Sequence, residues 1–143
     1  MKSLIFPDVN VWLAISHCKH EHHRSAINWF TALDPNSVLI FSRHTQLALF
    51  RLLSNESIFP SEALTQAQCW AVYDKWIDAG EAILADEPPE MEVKMRKRTS
   101  MNAVSTKTWA DAYLAAFAET ANLTLVTFDR ALAGKTQGSI LLQ

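Results

Sequence analysis

Apolar positions along this chain of 143 residues fall into short continuous runs that alternate with longer stretches at helical spacing. Residues 3–6, 38–41, 81–84, 124–128 and 139–142 are compact apolar runs and read as buried strands. Residues 9–16, 22–33, 43–53, 61–78, 90–98 and 105–120 read as helices. In the second of these, Ala26, Trp29, Phe30 and Leu33 share one face, and in the fourth Trp70, Tyr73 and Ile77 form a stripe. Asp34-Pro35-Asn36 is turn chemistry, Ser42 is placed to cap the third helix, and Gly80 to end the fourth. Strands alternating with helices predict an α/β fold with a central parallel sheet and helices on both faces, a three-layer α/β/α domain with right-handed crossovers. No repeat or linker interrupts residues 1–143, which read as a single domain.

Composition narrows the function classes. Apolar residues make up 49% of the chain, enough for a sizeable core. A net charge of −2 gives no global attraction to nucleic acid, so any such contact needs a local patch. Cys18 and Cys69 match no metal or redox spacing and read as buried thiols in a reducing compartment. No secretory leader and no run of about 20 apolar residues is present, which predicts a soluble, cytoplasmic protein without membrane association.

Three aspartates stand out by position. Asp8 follows the first strand, Asp129 follows the fourth, and Asp111 begins the apolar helix that leads back into the fourth. In a parallel sheet all three belong to the carboxyl edge, where such folds keep their functional crevice. Clustered carboxylates repel unless a cation neutralises them, and Mg²⁺ or Mn²⁺ takes oxygen ligands of this kind. Such an ion activates water and stabilises charge on a phosphoryl group, so the cluster points to phosphodiester hydrolysis. Each Asp also has a capping reading: Asp8 for the 9–16 helix, Asp129 for a short turn over 130–133, and Thr108-Trp109-Ala110-Asp111 as a capping box. Gathering at one crevice favours the metal reading, because capping alone supplies no reason for the three to meet.

The segments PDVNVWLA at 7–14, HEHHRSAINWF at 20–30, TQLALFRLLSN at 45–55, DAYLAAFA at 111–118 and TLVTFDRAL at 124–132 occur in the order of a PIN-domain ribonuclease. The set resembles the VapC-type toxins of VapBC toxin–antitoxin systems and spans nearly the whole chain. The resemblance implies a PIN-like α/β/α fold and Mg²⁺- or Mn²⁺-dependent cleavage of RNA, with transfer or ribosomal RNA as targets. It also implies restraint by a cognate VapB-type antitoxin, and a homodimer. It assigns Asp8, Asp111 and Asp129 as catalytic metal-site residues, with Asn10 and Thr127 in support. At the position where these proteins generally carry a Glu, this chain has Gln46, which supplies a neutral amide for hydrogen bonding. That departure keeps open a degenerate scaffold that binds RNA or a partner without cutting. A small-molecule phosphatase is disfavoured by the lack of a D-x-D motif after the first strand.

Lys94, Arg96, Lys97 and Arg98 form the densest basic run, read either as solvated surface or, for Arg96, Lys97 and Arg98, as an RNA contact. His17, His20, His22 and His23 cluster without a cysteine at zinc spacing and read as packing or surface residues.

Overall fold

Successive residues of a strand face opposite sides of a sheet, and the apolar runs here fill both sides. The computed structural model describes residues 3–143; the first two positions of the single-domain reading lie outside the described residues. Its strands are β1 (Leu4–Pro7), β2 (Val38–Phe41), β3 (Ala82–Leu84), β4 (Thr124–Thr127) and β5 (Ile140–Leu141). They pair in the order β3-β2-β1-β4-β5, every pair parallel. Ile5, Leu39, Phe41 and Val126 enter one core, while Phe6, Ile40 and Leu125 enter the other.

The first core is covered by α1 (Val9–Ser16), α2 (His23–Thr31), α3 (Arg43–Leu53) and α4 (Gln66–Asp78). Trp12 is fully buried there, stacked on Phe41 with ring centroids 3.7 Å apart and edge-on to Trp76. The second core is covered by α5 (Met91–Arg98), α6 (Thr108–Ala121) and α7 (Arg130–Lys135), with Phe117 stacked on Phe6 at 4.7 Å. This division follows from handedness. The chain steps from β1 to β2 to β3 in one direction, then crosses back over β1 to β4. Right-handed crossovers in opposite directions put their helices on opposite faces. The reversal lies between β1 and β4, and there the crevice opens beyond the strand ends.

Several boundaries differ from expectation, and at three helix starts the local reason is visible. The fourth helix begins at Gln66 rather than 61, because Thr65 and Gln68 form a reciprocal capping box with bonds of 3.1 and 2.9 Å. Glu90 is excluded from α5: its backbone is left-handed, with φ of 72°, and the helix starts at Met91. The sixth helix starts at Thr108 rather than 105, and the box expected of Thr108 and Asp111 does not form. Thr108 is already the first helical residue, with Lys107 at the cap, so its hydroxyl is not in the capping position.

Both cysteines are free, and Cys69 is buried as expected. Cys18 is exposed, which corrects the expectation of two buried thiols; it lies in the loop after α1, outside either core. Among the described residues no helix is long and apolar enough to cross a membrane.

Candidate active site

The carboxyl edge is built around Thr127, the last residue of β4. Its buried hydroxyl donates to Asp8 Oδ2 at 2.8 Å and accepts from the Asp129 amide at 2.9 Å. One side chain thus ties the end of β1 to the start of α7. Asp8 Oδ1 accepts from the Val9 amide at 2.6 Å, so Asp8 caps α1 as well. Asp129 caps α7, with Oδ1 accepting from Ala131 and Leu132. Asp111, 7% exposed, projects from the first turn of α6.

For Asp8 and Asp129 the capping reading holds, and capping is compatible with a place at one edge of the sheet. A helix that follows a parallel strand has its N-cap at the sheet's carboxyl edge, so capping itself brings such residues to the crevice. The premise that caps have no reason to gather there is corrected by the topology.

The Asp8 carboxyl feels the charges of both other aspartates. Burial pushes the Asp8 carboxyl above its ordinary pKa; the Thr127 hydroxyl and Val9 amide oppose this, and the charges of Asp129 and Asp111 add to it. Asp129 is shifted the other way, chiefly because Lys107 Nζ donates to its Oδ2 at 2.7 Å. The same bond holds the Lys107 ammonium above its usual range. Lys135 Nζ stands 3.8 Å from Asp111 Oδ2, an oxygen that is buried and has no hydrogen-bond partner.

The other anticipated residues are placed less centrally. Asn10 is exposed in the first turn of α1, with no side-chain hydrogen bond recorded among the described residues. Gln46 is buried on α3, but its Oε1 accepts from Arg43 Nη1 at 2.7 Å. No hydrogen bond joins Gln46 to the carboxylates among the described residues. In the basic run, Arg96 pairs with Glu92, while Lys94 and Arg98 both pair with Glu119. Lys97 is exposed. The histidines serve local structure: His17 stacks on Phe59, His23 bonds the Ala14 carbonyl, and His22 stacks on Phe128.

Residues that no motif singled out also reach this edge. His44, at the start of α3, feels the charges of Asp8 and Glu87, though burial is the larger influence and lowers its pKa. Tyr113 donates to Glu87 Oε2 at 3.0 Å, and burial together with that carboxylate pushes its phenol up to about 12. The available signal was position alone: His44 follows the β2 terminus closely, and Glu87 follows β3.

A family model described as the PIN domain matches residues 5–136. The chain belongs to the PIN-domain family. This PIN domain is homologous to the VapC-type toxins of VapBC toxin–antitoxin systems. It is 37% identical over 132 residues to ribonuclease VapC41 of Mycobacterium tuberculosis, covering 90% of each chain. To ribonuclease VapC39 of the same organism it is 28% identical over 137 residues, 94% of each. Its fold is shared with M. tuberculosis VapC20, a sarcin–ricin loop cleaving toxin, at a TM-score of 0.64 and 15% identity over 92% of this chain and 94% of that one. It is shared too with VapBC2 from Rickettsia felis bound to promoter DNA, at a TM-score of 0.67 and 15% identity over 96% of each chain.

The donor chemistry of the PIN domain's edge fits a hard divalent ion: three carboxylates, one with a buried oxygen that has no hydrogen-bond partner. The side chains are not gathered into a cage, however. Among the described residues no group of three His, Cys, Asp or Glu is arranged to hold an ion. Both oxygens of Asp129 are already engaged, Oδ1 by the α7 amides and Oδ2 by Lys107.

Thr127→Val is expected to destabilise the protein by about 1–3 kcal/mol, because a buried carboxylate oxygen and a backbone amide both lose their partner. The same change is expected to raise the Asp8 pKa further. Urea unfolding and carboxyl-detected NMR titration measure the two effects.

Proposed function

We propose that this PIN domain is a Mg²⁺- or Mn²⁺-dependent endoribonuclease, the toxin of a type II toxin–antitoxin pair, acting on transfer or ribosomal RNA in the cytoplasm. What supports the reading is that the charges of Asp129 and Asp111 act on the buried Asp8 carboxyl beside the β1–β4 switch point, and that Asp111 Oδ2 is buried without a hydrogen-bond partner. The ribonuclease names of its M. tuberculosis relatives support the same substrate class.

Asp8, Asp111 and Asp129 would hold the ion. When bound, it supplies an activated water and stabilises charge on the phosphoryl oxygens. Thr127 keeps Asp8 and Asp129 in register by bonding both. Gln46 fixes the Arg43 guanidinium at the start of α3. Asn10, exposed in the first turn of α1, is assigned to hydrogen bonding beside Asp8. A cognate VapB-type antitoxin and a second copy of the chain are the proposed protein partners. Exposed Leu47, Trp70, Val93 and Trp109 offer apolar surface for them to cover.

A non-cleaving scaffold is the second reading, favoured by the full engagement of Asp129 and by Gln46 bonding Arg43. Two measurements separate the readings: cleavage of labelled single-stranded RNA with Mn²⁺ before and after chelation, and calorimetric Mn²⁺ titration. Chelator-sensitive cleavage and stoichiometric ion binding are expected. Absence of both establishes the scaffold instead.

A further inference from the structure

Among the described residues no ion pair joins the densest basic run of the sequence to the three aspartates. Lys94, Arg96 and Arg98 are answered by Glu92 and Glu119 within α5 and α6. The ammonium groups beside the carboxylates belong to two isolated residues on different elements. Lys107 reaches Asp129 from the start of α6, and Lys135 reaches Asp111 from the end of α7.

We propose that Lys107 and Lys135 are phosphate-binding residues of the site, passing from Asp129 and Asp111 to the backbone of a bound single-stranded RNA. The inference rests on the ribonuclease reading above. Three physical points carry it. A polyanion approaching three carboxylates needs cations placed among them, or repulsion keeps it out. Both lysine side chains are well exposed, 63% and 58%, so their pairings are weak and readily exchanged. Their donors are also largely unspent. Lys107 Nζ makes one recorded hydrogen bond, to Asp129, of the three an ammonium can donate. Lys135 Nζ, at 3.8 Å, is beyond hydrogen-bond length from Asp111 and is held there by charge alone.

The competing explanation is that each lysine only offsets its aspartate. A double-mutant cycle separates the two. Affinity of the full chain for a labelled single-stranded RNA is measured by anisotropy in chelator at several salt concentrations. The proteins are wild type, Lys107→Gln, Asp129→Asn and the double variant, with thermal melts checking that each folds. In the Asp129→Asn background, Lys107→Gln is expected to weaken binding about five- to tenfold and to reduce the salt slope by roughly 0.7, one phosphate contact on single-stranded nucleic acid. Lys107→Arg, which keeps the charge, is expected to retain the affinity. The same pattern is expected for Lys135→Gln against Asp111→Asn, and no loss for Lys75→Gln at the far end of α4. Equal affinity of Asp129→Asn and the double variant overturns the inference while leaving the ribonuclease reading standing. A wild-type chain that binds no RNA overturns that reading itself.

Discussion

Asp8→Asn is expected to lower metal-dependent RNA cleavage by at least about 100-fold, since loss of even an outer partner of a metal site costs about 10–100-fold. The same substitution is expected to leave the metal-free protein as stable as the wild type or more so. Asn caps a helix as well as Asp does, so the Val9 bond survives, and where Oδ2 accepted from Thr127 the new amide N–H can donate to the Thr127 hydroxyl instead. What disappears is a buried charge repelled by Asp129 and Asp111. The sign follows from linkage. Asp8 has a folded pKa above its unfolded value, so ionising it costs the folded state more than the unfolded one. Its contribution is therefore most favourable below the ordinary carboxylate range. It is lost as pH rises from there through the raised value. Thermal melts in chelator across that window should show the wild type losing stability relative to Asp8→Asn. Added Mn²⁺, binding only the folded chain, should recover the difference in the wild type. Asp129 acts in the opposite sense: its depressed pKa gives stability that is lost as pH falls, reduced by solvent screening because the pair with Lys107 is largely exposed. Undiminished cleavage by Asp8→Asn would sink the assignment of the site.

Trp12→Ala is expected to be the most damaging core substitution, at about 3–5 kcal/mol, which for a domain of this size is roughly 10–20 °C in Tm. Trp12 joins β2 to α4 through its stack on Phe41 and its edge contact with Trp76, so truncation opens a cavity between two elements. Trp12→Phe is expected to cost only about 1–2 kcal/mol. It keeps a ring against Phe41 and removes an indole Nε1 that is buried without a hydrogen-bond partner. Urea unfolding of the two variants tests the pair. Equal losses would mean that a phenyl ring at this position recovers none of the indole's packing, and that the stack on Phe41 does not carry the stability.

The three-layer architecture was legible in the sequence because its signals are local. Apolar runs of strand length alternate with helical stripes, and α1 and β2 occupy the spans their patterns predict. The position of Asp8, Asp111 and Asp129 was legible for the same reason, since each adjoins a strand or helix end whose place in a parallel sheet is dictated by handedness. Side-chain partners were not legible. Lys107 meets Asp129 across 22 residues, and Arg98 meets Glu119 across 21. Those pairings depend on how α5, α6 and α7 lie against one face of the sheet. The ion pairs made to Asp129 and Asp111 come from two lone lysines, Lys107 and Lys135, that no run in the sequence marks out. Gln46 likewise occupies the anticipated place on α3, while its direction, toward Arg43, is set by packing. Local periodicity determined which elements form and which of their ends carry acid. Only the tertiary structure decided which cations answer those acids, because ion pairs form between surfaces that folding brings together.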